Sequence, residues 1–418
     1  MIYFITDISH KGTEICMINV AILGFGVVGG GTAEVLTMNK DKIEKKVRDT
    51  VNIKYILDLR DFPDSPFADR VVHDYNVILN DPEVSVVAEV MGGSHPAYEF
   101  SRAALEAGKS VVTSNKEVVA NFGDKLLECA KNNGVRYLFE ASVGGGIPVL
   151  SPIINDLSAN KITKICGILN GTTNYILTEM LFGGKSFEVA LSEAKSKGYA
   201  EANPTADVDG IDACRKICIL AALAFGKVVD TKDILTEGIS DIRSEDVAFA
   251  SEAGYALKLI GYTEEIDGKI AVMVSPRLIE KTNMLANING VFNGISVKGN
   301  AVNEVLFYGP GAGKLPTASA VAADMIDIME NRDNKIEPVS WKRAEASDLF
   351  DMDEYVCRRY ICAGSGFASK LEAAFGKPHQ MLSNGKEIAI ITAPMSERAL
   401  REAAEKSGVK LLSTFRVL

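Results

Sequence analysis

The sequence predicts an α/β protein in which a doubly wound parallel sheet is followed by an α+β domain and a small C-terminal βαββαβ domain. Over roughly the first 150 residues, short apolar segments alternate with helix-like segments, which is typical of parallel sheets with helical connections. Between residues 256 and 308, four apolar segments are predicted to be antiparallel strands. After residue 354, strand-like and helix-like segments follow one another in the order βαββαβ.

The composition restricts the kind of protein. A chain of 418 residues is long enough for two or three domains, each with its own core. The formal net charge of −10 argues against binding to nucleic acid or to an anionic membrane surface. No transmembrane segment or signal peptide is recognisable, and seven scattered cysteines suit a reducing compartment. We therefore expect a cytoplasmic protein with no nucleic-acid or membrane partner.

A glycine-rich turn follows the first predicted strand, which begins at Ile18. The turn has the spacing GxGxxG and lies between an apolar strand and a helix, the arrangement of a Rossmann-type dinucleotide-binding domain. Its glycines allow the backbone to approach a pyrophosphate, which is bound at the N-terminus of the helix. The alternative is a tight turn without a ligand. The predicted cofactor-binding residues of the turn are Gly24, Phe25, Gly26, Val27, Val28 and Gly29.

The end of the second predicted strand, 52–59, leaves the choice of dinucleotide open. An acidic residue there accepts hydrogen bonds from a ribose and favours NAD, and Asp58 has this place. A nearby arginine favours the 2′-phosphate of NADP, and Arg60 follows two residues later.

Two further segments are expected at the same edge of the sheet. Ser114 ends a short buried strand, 110–114, and Lys116 follows it, although a lysine there could also be a solvated residue of a first helical turn. Gly311 and Gly313 precede a long apolar helix, 317–329, which we expect to return to the nucleotide-binding domain and make it discontinuous. The glycines 144–146 are predicted to form a loop with exposed carbonyls, suited either to a cation or to a simple flexible turn.

The segment GYAEANPTADVDGIDACRK (198–216) concentrates charged side chains at the start of an otherwise apolar helix that is expected to end at Gly226. Asp212 and Lys216 are four residues apart and therefore share a face of this helix. Glu201 and Asp207 precede it in an irregular segment. A solvated ion pair is the alternative to a catalytic pair.

The predicted organisation has five parts. They are an N-terminal extension (1–17), a dinucleotide-binding domain (18–150, completed by 309–330), a substrate domain (151–308), a polar linker (331–353) and the C-terminal module (354–418).

Six segments together resemble the homoserine dehydrogenase family closely, in the order that the family has them, over roughly residues 18–330. They are GFGVVG (24–29), TSNKEVVA (113–120), FEASVGGGIPV (139–149), GILNGTTNYILT (167–178), 198–216 and GPGAGKLPTASAV (309–321). The C-terminal module resembles the ACT-type appendage of some members, for which threonine is the suggested effector, but it lacks the usual acid-proline pair. No aspartokinase segment precedes the matching region, which resembles the monofunctional form.

The resemblance implies roles for individual residues. Lys216 matches the proposed acid/base lysine, Asp212 its partner, and Lys116 a lysine beside the nicotinamide. Glu201 matches the residue that binds the substrate's amino group, and Asp207 is expected to bind substrate beside it. Asn203 stands where the family usually has Asp, and Cys214 where it usually has Ala. Main-chain oxygens that hold a monovalent cation (Na+ or K+) in the family correspond to Glu140, Val143, Gly145 and Ile147.

The implied reaction is reversible hydride transfer between L-homoserine and L-aspartate 4-semialdehyde with NADP or NAD, in the branch leading to threonine, methionine and isoleucine. The partners are then small-molecule substrates, and a homodimer or homotetramer is expected. Two alternatives remain. Aspartate-semialdehyde dehydrogenase would need a nucleophilic cysteine, and no cysteine lies at a helix N-terminus beside a basic residue. A catalytically silent nucleotide-binding regulator would not need Lys116, Glu201, Asp212 and Lys216 together.

Overall fold

The computed structural model describes residues 17–334 and 339–418. The predicted N-terminal extension (1–17) therefore lies, except for its last residue, outside the described residues. No helix in the described ranges is long and apolar enough to cross a membrane.

The first part of the chain forms a six-stranded parallel sheet with the order β3-β2-β1-β4-β5-β6, which confirms the predicted Rossmann-type topology. Its strands are β1 (Met17–Leu23), β2 (Thr50–Leu57), β3 (Val71–Val72), β4 (Val84–Glu89), β5 (Ser110–Thr113) and β6 (Tyr137–Leu138). Its helices are α1 (Val27–Met38), α2 (Lys40–Val47), α3 (Tyr75–Leu79), α4 (Ala97–Glu106) and α5 (Lys116–Asn132).

The second part is an α+β unit built on an antiparallel sheet. Its helices are α6 (Leu150–Ile154), α7 (Gly171–Gly183), α8 (Phe187–Ser196), α9 (Thr205–Val208), α10 (Ile211–Phe225) and α11 (Ser244–Glu252). Its strands are β7 (Ile162–Ile168), β8 (Lys227–Val228), β9 (Leu235–Thr236), β10 (Tyr255–Ile266), β11 (Lys269–Glu280), β12 (Phe292–Gly299) and β13 (Asn303–Pro310). The four strands expected from the sequence between residues 256 and 308 are thus present, as β10 to β13.

Helix α12 (Lys314–Glu330) returns to the first sheet. Its apolar residues, including Val321 and Met325, pack in one core with Val20 and Ile22 of β1. The helix also lies against α1, where a side chain at Gly31 would collide with the Lys314 carbonyl. This return is the contact that the sequence predicted for the helix after the second glycine segment.

The C-terminal part has the predicted βαββαβ order. It contains β14 (Lys342–Arg343), β15 (Val356–Cys357), β16 (Arg359–Gly364), α13 (Ala368–Phe375), β17 (Gln380–Ser383), β18 (Glu387–Ile391), β19 (Met395–Ser396), α14 (Glu397–Ser407) and β20 (Leu411–Val417). Its sheet has the order β20-β16-β18-β17 and continues the second sheet, because β20 pairs with β11. The module therefore shares a sheet with the substrate domain.

Two details differ from the sequence-based expectations. The described part of the polar linker is packed onto the body of the protein: Trp341 is 6% exposed and contacts Phe139, and β14 pairs with β8. The loop 144–146, expected to expose its carbonyls, is enclosed by other parts of the chain. Gly145 approaches the backbone of Gly311, and Gly146 approaches Pro316, so closely that a side chain at either position would collide.

Candidate active site

Helix α10 brings the predicted catalytic residues into the protein interior. Gly210 precedes it with a φ of +80°, and Gly226 ends it in the left-handed conformation that the sequence predicted for a C-terminal glycine. The helix packs against β10, β11 and α5 and is buried on nearly all sides. Its first two turns therefore place Asp212 and Lys216 where water has little access.

Asp212 is the centre of a charged cluster. Its Oδ2 atom accepts a hydrogen bond of 2.7 Å from the Nζ atom of Lys216, and its Oδ1 atom lies 2.9 Å from the Nζ atom of Lys116. Lys216 also donates to the Leu169 carbonyl at 2.7 Å. An ammonium group has three N–H donors, and these two acceptors are the ones that Lys216 has among the described residues. One N–H thus remains for a group bound in the cleft.

The cluster holds its charges by mutual attraction. Burial alone would raise the pKa of Asp212, but Lys216 and Lys116 hold that pKa well below its usual range. Burial lowers the pKa of Lys216, and the carboxylate of Asp212 opposes that effect. A lysine whose pKa is lowered by burial, with a carboxylate to orient it, is suited to donate and accept a proton.

Asn170 connects Asp212 to Asp207. Its amide nitrogen donates to the Asp207 Oδ1 atom at 2.7 Å and to the Asp212 Oδ2 atom at 2.9 Å. Burial raises the pKa of Asp207, whereas the hydrogen bond from Asn170 lowers it. Asp207, which the sequence places near the helix entrance, is thus part of the same network as the lysine pair.

The glycine turn has the geometry of a dinucleotide-binding loop. Gly24 has a φ of +95°, and a side chain at Gly29 would lie 1.9 Å from the Gly24 carbonyl oxygen. Both positions therefore require glycine. Gly26 precedes the first turn of α1, and Val27 and Val28 line the cleft at the start of that helix. These residues fit a pyrophosphate bound at a helix N-terminus.

Asp58 and Arg60 form a paired unit beside the turn. The Asp58 carboxylate accepts a hydrogen bond of 2.8 Å from the Phe25 backbone N–H and two of 3.0 Å from the Arg60 side chain. The Arg60 guanidinium holds the pKa of Asp58 well below its usual range. The two residues that bear on the choice of dinucleotide thus contact each other.

A cleft of about 580 Å³ joins the dinucleotide turn to the charged cluster. Of the site residues predicted from the sequence, it is lined by Val27, Val28, Ser114, Lys116, Gly145, Asp207, Asp212, Lys216, Gly311 and Gly313. Further lining residues that the sequence did not single out include Asn170, Thr172, Tyr199, Val291 and Thr317. The cleft therefore lies between the two predicted domains, as expected for a reaction between a dinucleotide and a small substrate.

Other predicted site residues lie away from the cleft lining. Glu201 is exposed, two residues beyond Tyr199, and the structure does not bring it to the cleft. Glu140 is buried outside the cleft lining, where its carboxylate accepts hydrogen bonds from the backbone N–H groups of Val149, Leu150 and Ser151. Its side chain is therefore committed to the start of α6, so only its main-chain oxygen could bind a cation.

The two halves of the cleft are also joined by an ion pair outside its lining. Arg215 of α10 lies 3.0 Å from Glu117 of α5, and Glu117 accepts a hydrogen bond of 2.6 Å from Ser94. Together with the Lys116–Asp212 pair, this contact ties α10 to the first turn of α5. The sequence did not predict it, because the partners belong to different domains.

The two cysteines of α10 have no features of catalytic nucleophiles. Cys214 and Cys218 are buried on α10, and their thiols contact the carbonyls of Thr231 and Val229. Burial raises the pKa of Cys218 to about 12, which keeps it a thiol at neutral pH. Both side chains belong to the hydrophobic core of the protein.

Asn170 is the residue that sequence reasoning missed most clearly. It belongs to one of the family-like segments, but the sequence assigned no role to it. The available signal was an asparagine directly before a helix, which is a common N-cap. Thr172, two residues later, donates to the Tyr199 carbonyl at 2.6 Å and thereby holds the segment that leads to Glu201.

The chain matches two protein-family models. One is described as the NAD-binding domain of homoserine dehydrogenase and matches residues 24–140, and the other, described as homoserine dehydrogenase, matches residues 148–326. A homoserine dehydrogenase of Bacillus subtilis (strain 168) is 44% identical over 321 residues, which are 75% of this chain and 73% of that protein.

Solved structures agree with these matches. A homoserine dehydrogenase from Thiobacillus denitrificans has a TM-score of 0.88 at 34% identity and covers 96% of this chain and 98% of its own. A hyperthermophilic archaeal homoserine dehydrogenase mutant, solved in complex with NADPH, has a TM-score of 0.64 at 30% identity, covering 75% of this chain and 97% of its own. With the glycine turn and the lysine–aspartate cluster at one cleft, these matches lead to one conclusion: the chain belongs to the homoserine dehydrogenase family.

Proposed function

We propose that this protein catalyses reversible hydride transfer between L-homoserine and L-aspartate 4-semialdehyde with a nicotinamide cofactor. The observation that carries this proposal is the buried cluster of Lys216, Asp212 and Lys116, which lines the same cleft as the dinucleotide turn. The substrate pair is inferred from family membership. The cluster provides a proton donor, Lys216, at the cleft between the two domains.

In the reductive direction, a bound nicotinamide dinucleotide would supply the hydride to the aldehyde carbon, which leaves negative charge on the aldehyde oxygen. The Lys216 ammonium donates a proton to that oxygen and becomes a neutral amine, which solvent then protonates again. Asp212 keeps the ammonium oriented, because one carboxylate oxygen is bonded to Lys216 and the other is paired with Lys116. In the oxidative direction, the neutral Lys216 amine accepts the hydroxyl proton.

Asp207 and Glu201 are assigned to the substrate's amino group. Asp207 lines the cleft, next to the lysine pair. Glu201 is exposed, on the segment that Thr172 holds at Tyr199, and its assignment requires this segment to close over the bound substrate. Closure of this kind would also exclude water from the site.

We assign the dinucleotide to the glycine turn and to Ser114, Lys116, Gly311 and Gly313. The Arg60 guanidinium is exposed and would be available to a 2′-phosphate, whereas Asp58 would accept from a 2′-hydroxyl. Both NADP and NAD therefore remain candidates. The ratio of kcat/KM for NADPH and NADH, measured for the protein as it is and for Arg60→Ala, decides between them.

A monovalent cation is proposed at the main-chain oxygens of Glu140, Val143, Gly145 and Ile147. Carbonyl oxygens are suitable ligands for Na+ or K+, and Gly144 and Gly145 both have the positive φ that such a curved loop requires. The cation would bind this loop where it meets Gly311 of the second glycine segment.

Residues 354–418 are proposed to be an ACT-like regulatory module, and the protein is proposed to be a cytoplasmic homodimer or homotetramer. Any effector bound by the module has a direct structural route to the substrate domain, because β20 pairs with β11. In addition, Arg416 of β20 lies 2.5 Å from Glu237, which follows β9.

The deciding experiment follows the oxidation of NADPH or NADH by the purified protein in the presence of aspartate semialdehyde. We expect turnover that depends on the aldehyde and yields homoserine. Phosphate-dependent reduction of NADP+ with the same aldehyde would instead indicate an aspartate-semialdehyde dehydrogenase. Dinucleotide binding without turnover in either assay would indicate a regulator and would contradict the proposal.

A further inference from the structure

We propose that Asn170 is a positioning residue that keeps Asp207 ionised beside Asp212 and so sets the acidic limit of activity. The inference rests on the proposed function in so far as turnover is one of its two readouts. It starts from the fact that one amide group contacts both carboxylates of the cleft.

The orientation of the Asn170 amide follows from its partners. Its Oδ1 atom accepts a hydrogen bond of 2.9 Å from the Thr173 backbone N–H and so caps the N-terminus of α7. Its nitrogen points to two carboxylate oxygens, which can only accept hydrogen bonds when ionised. The opposite orientation would place the amide oxygen against two carboxylates. All hydrogen-bonding atoms of the buried side chain therefore have defined partners.

Two carboxylates so close together create an electrostatic problem. Asp212 is neutralised by two lysines, but no lysine or arginine lies within ion-pair distance of Asp207 in the described part of the chain. Burial and the charge of Asp212 both raise the pKa of Asp207, and the hydrogen bond from Asn170 lowers it more than the charge of Lys216 or the Thr172 hydroxyl does. Since like charges at one buried site favour protonation of one partner, Asp207 is the carboxylate that would become neutral.

The amide solves this problem without adding a charge. Its two N–H groups stabilise the ionised form of each carboxylate and fix the distance between them. A lysine or arginine in its place would compete with Lys216 for Asp212. Asn170 thus allows an ionised Asp207 to lie next to the Lys216–Asp212 pair. The net charge of that pair does not change.

Asn170→Ser is the direct test, because serine keeps the helix cap but removes both N–H donors. A hydrogen bond to a charged group is strong enough to shift a pKa by about one to two units. We therefore expect the acidic limb of the kcat/KM profile for aldehyde reduction to move up by about one to two pH units. The basic limb should move less, since it reports on Lys216.

Asn170→Asp is the second variant and the one that best preserves shape and cap. It replaces the two donors by a third carboxylate, so the upward shift should be at least as large as for Asn170→Ser. Ser186→Ala is the matched control, because Ser186 caps the neighbouring helix α8 and does not line the cleft. This control should lower thermal stability and leave the pH profile unchanged.

A purely structural role for Asn170 predicts a different result. In that case the Asn170 variants would lose activity by the same factor at every pH, and their profiles would superimpose on the original after scaling. That outcome would overturn the proposal.

A second readout needs no turnover. In Asn170→Ser, the ionised carboxylate of Asp207 loses the hydrogen bond that the Asn170 amide donates to it. The folded-state pKa of Asp207 therefore rises. A raised folded pKa of an acid means that stability is lost as pH rises through that pKa. The difference in Tm between the original protein and Asn170→Ser should therefore grow from about pH 4 to about pH 8, whereas a constant difference would contradict the proposal.

The two readouts separate the two hypotheses. If the original protein does not reduce aspartate semialdehyde, the proposed function fails, but the thermal comparison still decides the role of Asn170. If the protein is active and both pH dependences are unchanged in the Asn170 variants, the proposed function stands and the positioning role fails.

Discussion

Two buried lysines of the substrate domain, Lys216 and Lys258, are held in contrasting ways. Lys216 is 8% exposed, lines the cleft, and has a carboxylate and one carbonyl as acceptors. Lys258 on β10 is 1% exposed and does not line the cleft. Its Nζ atom donates to the Asn174 side chain at 2.9 Å, the Ile288 carbonyl at 2.6 Å and the Asn289 side chain at 3.0 Å.

The difference shows how the environment separates a reactive lysine from a structural one. The three acceptors of Lys258 match the three N–H groups of an ammonium, so none remains for a ligand. Lys216 has two acceptors and can use its third N–H in the cleft. The carboxylate of Asp212 opposes the lowering of the Lys216 pKa by burial, whereas burial without a carboxylate lowers the pKa of Lys258 to about 7.

The largest expected effect is on turnover in Lys216→Met. Methionine has a similar shape but no proton to donate, so we expect kcat for aldehyde reduction to fall by about 10²- to 10⁴-fold. The loss of stability should be smaller than in Lys258→Met, because Asp212 retains Lys116 and Asn170 as partners. The assay is steady-state oxidation of NADPH, with thermal unfolding in parallel. Near-original turnover would remove Lys216 from the mechanism.

Asp212→Asn would give Lys216 a neutral partner, like those of Lys258. Loss of the carboxylate allows the pKa of Lys216 to fall further, so fewer molecules carry the proton needed for reduction. We expect kcat/KM at about pH 8 to fall by about 10²-fold and the basic limb of its pH profile to move to lower pH. A full pH profile measures both, and a basic limb that stays in place would show that Asp212 does not support the charge of Lys216.

Lys258→Met is the matched counterpart of Lys216→Met and should affect mainly stability. It removes the donor of the Asn174 and Asn289 side-chain oxygens and one of the two donors to the Ile288 carbonyl, at a cost of about 2–4 kcal/mol in the free energy of unfolding. Chemical denaturation measures this loss. Turnover per folded molecule should stay within about tenfold, and a loss as large as that of Lys216→Met would mean that Lys258 also serves the cleft.

Asn174→Asp should give Lys258 the carboxylate that it lacks and has the smallest expected effect. In the original protein the folded-state pKa of Lys258 lies below the unfolded value, so stability falls as pH drops from about 10 to about 7. The new carboxylate raises the folded pKa and so reduces that fall. The stability of Asn174→Asp relative to the original protein should therefore improve by about 1–2 kcal/mol between about pH 10 and about pH 7.

Denaturation curves at these two pH values measure the change. The absolute stability of the variant is not the readout, because the substitution also removes the hydrogen bonds that the Asn174 amide donates to the carbonyls of Ile288 and Phe292. An identical pH dependence in both proteins would show that Lys258 does not titrate in this range.

The amino-acid sequence by itself determined the local elements of the site. The GxGxxG spacing predicted the turn between β1 and α1, and the apolar run ending at Gly226 predicted helix α10. The sequence also predicted the contact between Asp212 and Lys216, because residues four apart share a helix face. Such predictions succeed because turn conformation and helix periodicity depend on near neighbours in the chain.

Only the tertiary structure decided which distant residues complete the site. Lys116 reaches Asp212 from another domain, and Asn170 reaches it across 42 residues of sequence. The structure also placed Glu201 outside the cleft lining and buried Trp341 of the expected linker. These contacts depend on how β-sheets and helices pack against one another. Neither composition nor periodicity predicts that packing, because each buried polar group meets its partner only when the domains are assembled.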